Sequence, residues 1–138
     1  MSNVVYNLKK IRELRGLTQP ELGNACFFED RSAVVRISDY ETHRRNPKNT
    51  QLETLAHALN VIPDVLLSSP QTTTNEQFAW KLLEMEDLLG LEIENGSIRF
   101  DLSYFQDFIN EWEVKQKEYK CNKISKDEYY KWKISRRL

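Results

Sequence analysis

Along the first half of the chain, apolar residues return every three or four positions, the step of helices that share a core. "NLKKIRELRG" (Asn7–Gly16) sets Leu8, Ile11 and Leu14 on one face, with Leu17 across the turn, and leaves Lys9, Lys10, Arg12 and Glu13 outside. Gly16 suits the stop, because glycine enters the left-handed conformation without a Cβ clash. "TQPELGNAC" then opens a short second helix. Thr18 with Glu21 reads as a capping box, Pro20 is tolerated in the first turn, and Leu22, Ala25 and Cys26 are expected inside. A third helix, "DRSAVVRISDYE", is expected to be capped by Asp30 or Ser32. Its Ala33, Val34, Ile37 and Tyr40 should face inward, and Ser32, Val35, Arg36 and Asp39 outward. Asn49 or Thr50 caps a fourth helix with the stripe Leu52, Leu55, Ala56 and Leu59, and Pro63 opens a brief fifth carrying Val65, Leu66 and Leu67.

"SSPQTTTNE" (Ser68–Glu76) has no apolar period and reads as a linker. Beyond it the style changes. "EQFAWKLLEMEDLLG" predicts a helix with Phe78, Leu82, Met85, Leu88 and Leu89 on its inner side, stopped at Gly90. In "LEIENGSIRFDL" the pair Asn95-Gly96 suits a type I′ turn, which sets Glu92 opposite Arg99, Ile93 opposite Ile98 and Leu91 opposite Phe100. Ser103 with Gln106 is expected to cap a helix bearing Phe105, Phe108, Ile109 and Trp112. Ser125 with Glu128 caps a last one bearing Tyr129 and Trp132. The expected organisation is a helical domain over residues 1–68, a linker at 69–76, and a small α+β dimerisation or interaction domain over 77–138.

The net charge of −1 over 138 residues does not announce a nucleic-acid binder. Residues 1–70 hold nine Lys and Arg against eight Asp and Glu, and residues 71–138 hold eleven against thirteen. Any binding surface is therefore a matter of local placement. No apolar run approaches the roughly 18–20 residues of a membrane span and no signal-peptide pattern opens the chain, so a cytoplasmic protein is expected. Cys26 and Cys121 are isolated and read as free thiols. His43 and His57 lack companion ligands, so neither a metal nor any other cofactor is expected.

Arginine placement changes the picture. Arg31 and Arg36 lie along the third helix, with Arg44, Arg45 and Lys48 just beyond it, more cations than core packing needs. Two short helices crossed by a third also describe a helix-turn-helix, whose second element enters the DNA major groove. A plain helical bundle fits the periodicity equally well. The pieces "IRELRGLTQPELG", "ISDYE", "RRNP" and "LETLAHALNV", in this order over about residues 7–67, resemble the lambda-repressor-like (Cro/cI-type, XRE) helix-turn-helix family. The chain departs from that family in three places. "FFEDRSAVVR" makes the connection longer, His43 stands where a glycine is usual, and Ile62 stands where a Ser or Thr caps the fifth helix.

The resemblance implies a five-helix DNA-binding domain and a regulator, acting as a repressor, that reads double-stranded DNA as a homodimer. By position it implies that Gln19, next to Thr18, touches phosphate and braces the reading helix. Arg36 would read guanine, with Ser32, Val35 and Arg31 near bases or phosphates. Asp39 would orient Arg36 or accept from cytosine, and Arg44, Arg45 and Lys48 would meet phosphate. The order of elements after residue 76 resembles the tails of small regulators of Gram-positive bacteria and their mobile elements, which names no activity. A rival expectation is a protein-interaction module, such as an antitoxin or an inhibitor of a phage-defence nuclease. An enzyme is not expected, since no phosphate-cradling glycine loop, metal-ligand spacing or serine elbow occurs.

Overall fold

The computed structural model describes residues 3–69, 74–101 and 103–136. It is mainly helical, with one small antiparallel sheet. The order is α1 (Leu8–Leu14), α2 (Gln19–Ala25), α3 (Asp30–Glu41), α4 (Asn49–Ala58), α5 (Pro63–Leu67), α6 (Asn75–Leu89), β1 (Glu92–Glu94), β2 (Ser97–Arg99), a 3-10 turn at Ser103–Phe105, α7 (Gln106–Lys120) and α8 (Lys126–Ser135). Half of the expected linker, residues 70–73, lies outside the described residues.

The chain divides into two units, one spanning Met1–Pro70 with Asn122–Leu138, the other Gln71–Cys121. This corrects the expectation that residues 77–138 stand together: α8 belongs with the first unit. Its Ile134, 5% exposed, joins the core of Leu8, Ile11, Leu22, Ile37, Leu55 and Leu66, and Tyr130 packs against that core. Arg15 Nη2 donates to Ser135 Oγ at 2.7 Å, and the Lys10 ammonium sits 4.1 Å over the Tyr130 ring. Buried apolar surface and satisfied polar groups, not nearness in sequence, decide which unit a helix joins.

Side chains also bind the helix ends of this unit. Asn7 does not cap its own helix; its Nδ2 donates to the carbonyls of Val65 and Ser68, both at 2.9 Å, tying α1 to the end of α5. Arg15 Nε donates to Leu59 O at 2.9 Å, filling one of the acceptors that the end of α4 leaves open. Val5, 1% exposed, belongs to the core although no periodic pattern reached it.

Several local expectations need correction. Arg12, placed outside by its charge, is 8% exposed. Ala25 is exposed, since α2 is too short to bury both Leu22 and its far side. Val34 is 39% exposed, because Ala33, Ile37 and Tyr40 already fill the inward face of α3. Asp30 is the first residue of α3 and Ser32 lies within it; the N-cap is Glu29, without a side-chain bond. Asn49 and Thr50 likewise lie inside α4, whose start is closed by Gln51 Oε1 accepting from Lys48 N at 2.9 Å. Ser103 opens a 3-10 turn instead of capping α7, and its N–H donates to Asp101 Oδ1 at 3.1 Å.

The second unit is built on different terms. The hairpin has the expected register, Glu92 opposite Arg99 and Ile93 opposite Ile98, with Asn95 and Gly96 at φ 51° and 73°. These are the two positive φ values that a type I′ turn requires. Yet among the described residues 74–121 none is buried.

Candidate nucleic-acid interface

The capping box forms as the residue types demand. Glu21 N donates to Thr18 Oγ1 at 3.3 Å and Thr18 N to Glu21 Oε2 at 2.7 Å, which pulls the Glu21 carboxyl below the usual range. Thr18 is exposed, and its side chain is engaged in the cap. One turn on, Gly23 is the point where α2 meets α3. A Cβ there would lie 2.5 Å from Ala33 Cβ, so the close approach needs a residue without one.

The residues between Ala25 and Ile37 are housed by a short turn, Cys26–Glu29, and a twelve-residue α3. The turn closes α2 through Phe28 N to Gly23 O at 3.0 Å and Phe27 N to Asn24 O at 2.9 Å. It holds Phe27 at φ 57°, a strained conformation for a bulky residue, with 92% of its surface exposed. Phe28 instead packs on the core and presents its ring to Arg36, whose Cζ lies 4.7 Å from the ring centroid.

The outer face of α3 remains open. Arg31 is exposed, Val35 is 60% exposed, and Ser32, Arg36 and Asp39 are half-buried. Ser32 Oγ donates to Glu29 O at 3.1 Å. Among the described residues Arg36 makes no ion pair with Asp39; the Phe28 ring orients it instead. That distinction matters chemically. A guanidinium held over an aromatic ring spends no N–H group in a hydrogen bond there, so its donors stay free.

The end of α3 is equally well defined. His43, at φ 57°, fills the left-handed position, its ring 5.5 Å from that of Tyr6 in an edge-on contact. His43 N donates to Tyr40 O at 3.2 Å and Arg44 N to Asp39 O at 2.9 Å, the paired bonds of a Schellman stop. Arg44, Arg45 and Lys48 follow, all exposed. Burial raises the Tyr40 phenol, partly offset by the positive charge of Arg36 and Arg45 nearby. Its hydroxyl donates to Gln51 Oε1 at 3.0 Å, fixing α3 to the start of α4 beside Lys48.

Beneath this surface lies a buried polar knot that the sequence did not announce. Arg12 Nε and Nη2 donate to the two oxygens of Glu41 at 2.6 and 3.2 Å, and Arg12 Nη1 donates to Leu17 O at 2.7 Å. Gln19 Nε2 completes it with a bond to Glu41 Oε2 at 2.9 Å. Gln19 thus joins the start of α2 to the end of α3. The Arg12 and Glu41 side chains are 9% and 3% exposed, and the pair raises the guanidinium pKa further.

The structure therefore brings Arg31, Ser32, Val35, Arg36 and Asp39 to one helix face and sets Arg44, Arg45 and Lys48 at its end. Phe28, Glu41, Arg12 and Gln51, which hold that face in place, were missed. The one advance signal was the position of Arg12, four residues after Leu8 and so on the buried stripe. Comparison with protein-family models, with curated proteins and with solved structures gave no match in any of the three.

Proposed function

We propose that the chain is a sequence-specific DNA-binding transcriptional regulator, a repressor in which α2 and α3 form a lambda-repressor-like helix-turn-helix. On this reading α3 lies in the major groove, Arg36 donates to guanine, and Ser32, Val35 and Asp39 lie along the neighbouring base edges. Arg31, Arg44, Arg45 and Lys48 meet phosphates, and Gln19 with Thr18 approaches the backbone from the start of α2. The supporting observation is the state of Arg36: oriented by Phe28 on an open helix face, with its donors unspent.

One copy contacts few bases, so the operator is read by a homodimer over half-sites about 34–36 Å apart. Selection of bound sites from random double-stranded DNA tests the whole reading, since a palindrome reports sequence preference and two-fold symmetry together. Arg36→Ala is expected to cost roughly 1–3 kcal/mol at the selected site and to relax preference at one base pair. Affinity should also fall steeply with added salt, as released counterions require, whereas an apolar protein interface would barely respond. Equal affinity for all sequences, before and after the substitution, would remove the proposal.

A further inference from the structure

Among the described residues, α6 and the β1–β2 hairpin carry an exposed apolar surface whose chemistry the DNA reading does not use. Together they form a groove of about 240 Å³ lined by Leu82, Leu83, Leu91, Ile93 and Ile98, with Glu86 at its edge. Around it Phe78, Trp80 and Leu88 are 59%, 61% and 79% exposed, and Ile93 is 75% exposed. An exposed apolar groove flanked by such side chains marks a surface that a partner covers.

Charge indicates which partner. Residues 74–101 carry seven Asp and Glu against two Lys and Arg. Both cations are already engaged, Lys81 with Glu84 at 2.9 Å and Arg99 with Glu94 at 3.0 Å. Glu86 lines the apolar groove, and Glu76, Glu86, Asp87 and Glu92 of the same two elements make no ion pair among the described residues. A second copy laid on this face would set carboxylate against carboxylate, a costly match. A segment with Lys and Arg beside apolar anchors would satisfy both the groove and this charge.

We infer that the groove between α6 and the β1–β2 hairpin is the docking site for a basic amphipathic helix of another protein. Apolar anchors at successive turns enter between α6 and the hairpin, and a flanking cation pairs with Glu86, within the net negative charge of the two elements. This does not depend on the DNA reading, and it gives the regulator a surface through which a protein signal can arrive.

The full chain can be titrated calorimetrically with a synthetic Leu/Lys amphipathic helix of about five turns, and with the same helix carrying Glu in place of Lys. The Leu/Lys helix is expected to bind saturably and the Leu/Glu helix not at all. Leu83→Asp and Ile93→Asp, both at exposed positions, should abolish binding without altering the circular dichroism of the chain. Glu86→Lys with Glu92→Lys should weaken it about tenfold, the more so at low salt. Absence of saturable binding, or binding unchanged in Leu83→Asp, overturns the inference. So does sedimentation showing a wild-type dimer that Leu83→Asp converts to monomer, which would make a second copy the occupant. DNA binding measured on the same samples reports separately on α3.

Discussion

In the first unit Leu8, Ile11, Leu22, Ile37 and Leu55 are each 0% exposed, while in the second Leu83, Leu88 and Ile93 keep 61%, 79% and 75% of their surface. Both regions are written in the same amphipathic code. In the first, every apolar stripe finds another stripe of the same chain, and even α8 is drawn back across the intervening residues to supply Ile134. In the second, the hairpin closes by its own turn chemistry and α6 is well capped, but no described residue becomes buried. Local signals are enough to form elements; burial of apolar area is what makes them a stable body. The difference separates a unit that buries its own apolar surface from one that leaves it exposed.

The sharpest way to break this comparison is to open the polar knot of the first unit. Glu41→Ala leaves the Arg12 guanidinium buried without its carboxylate and frees Gln19. Loss of one partner from a buried pair is expected to cost about 3–5 kcal/mol. Leu88→Ser in the second unit should stay within roughly 0.5 kcal/mol, because its side chain is already in water. Urea denaturation followed by circular dichroism measures both. Similar costs at the two positions would mean that the units are not built on different terms.

A smaller effect of the same kind is expected at the crossing of α2 and α3. Gly23→Ala brings a methyl to within 2.5 Å of Ala33 Cβ, with Ala33 backbone atoms at 3.1 and 3.2 Å behind it. Backbone cannot swing aside as a flexible side chain can, so the helices must separate. A cost of about 1–3 kcal/mol is expected, accompanied by weaker DNA binding, because α3 would shift relative to α2. Ala33→Gly in the Gly23→Ala background should recover part of the binding; no recovery would place the damage elsewhere.

How far the sequence disclosed this division depends on the range of each interaction. The hairpin register was legible because a period of two and the Asn95-Gly96 turn point to the same pairing. The boxes at Thr18 and Ser125 were legible because both partners lie three residues apart. Arg12 was misplaced because its partner Glu41 is 29 positions away, and charge alone argued for the surface. The allegiance of α8 turned on Arg15 and Ser135, 120 positions apart. Of the candidate interface, the arginines and their helix were readable. The ring that aims Arg36 was not, since Phe28 sits in a turn where no period assigns it a direction.

Alkaline pH should weaken the first unit selectively. Burial pushes the Cys26 thiol up from 9.0 to about 11. Because the folded value lies above the unfolded one, the thiol's contribution is complete below pH 9 and is lost as pH climbs from 9.0 through about 11. The Tyr40 phenol, also raised by burial, works in the same direction from its ordinary value of 10.0. For the thiol alone, the difference between 9.0 and about 11 corresponds to a loss on the order of 2–3 kcal/mol. Cys26→Ala should flatten the slope of stability against pH between 9 and 11, whatever its effect at neutral pH. An unchanged slope would assign the alkaline loss to other groups.

The smallest expected effect falls where the finished unit meets its outer surface. Phe28 packs against the core, and its ring centroid lies 4.7 Å from Arg36 Cζ. Phe28→Leu keeps an apolar side chain on the core and removes the ring beside the guanidinium. A stacking contact of this kind is worth about 0.5–1 kcal/mol at a partly exposed site. Released from the ring, Arg36 samples more orientations, and the cost of ordering it again falls on the bound state. On the proposed reading, affinity for a selected operator should therefore drop by about threefold to fivefold, with weaker discrimination at the base pair assigned to Arg36, while affinity for random DNA stays level. A purely structural role for Phe28 would lower the urea midpoint and both affinities together. Loss confined to the selected site, with the midpoint held, is the signature of an aromatic residue that positions an arginine.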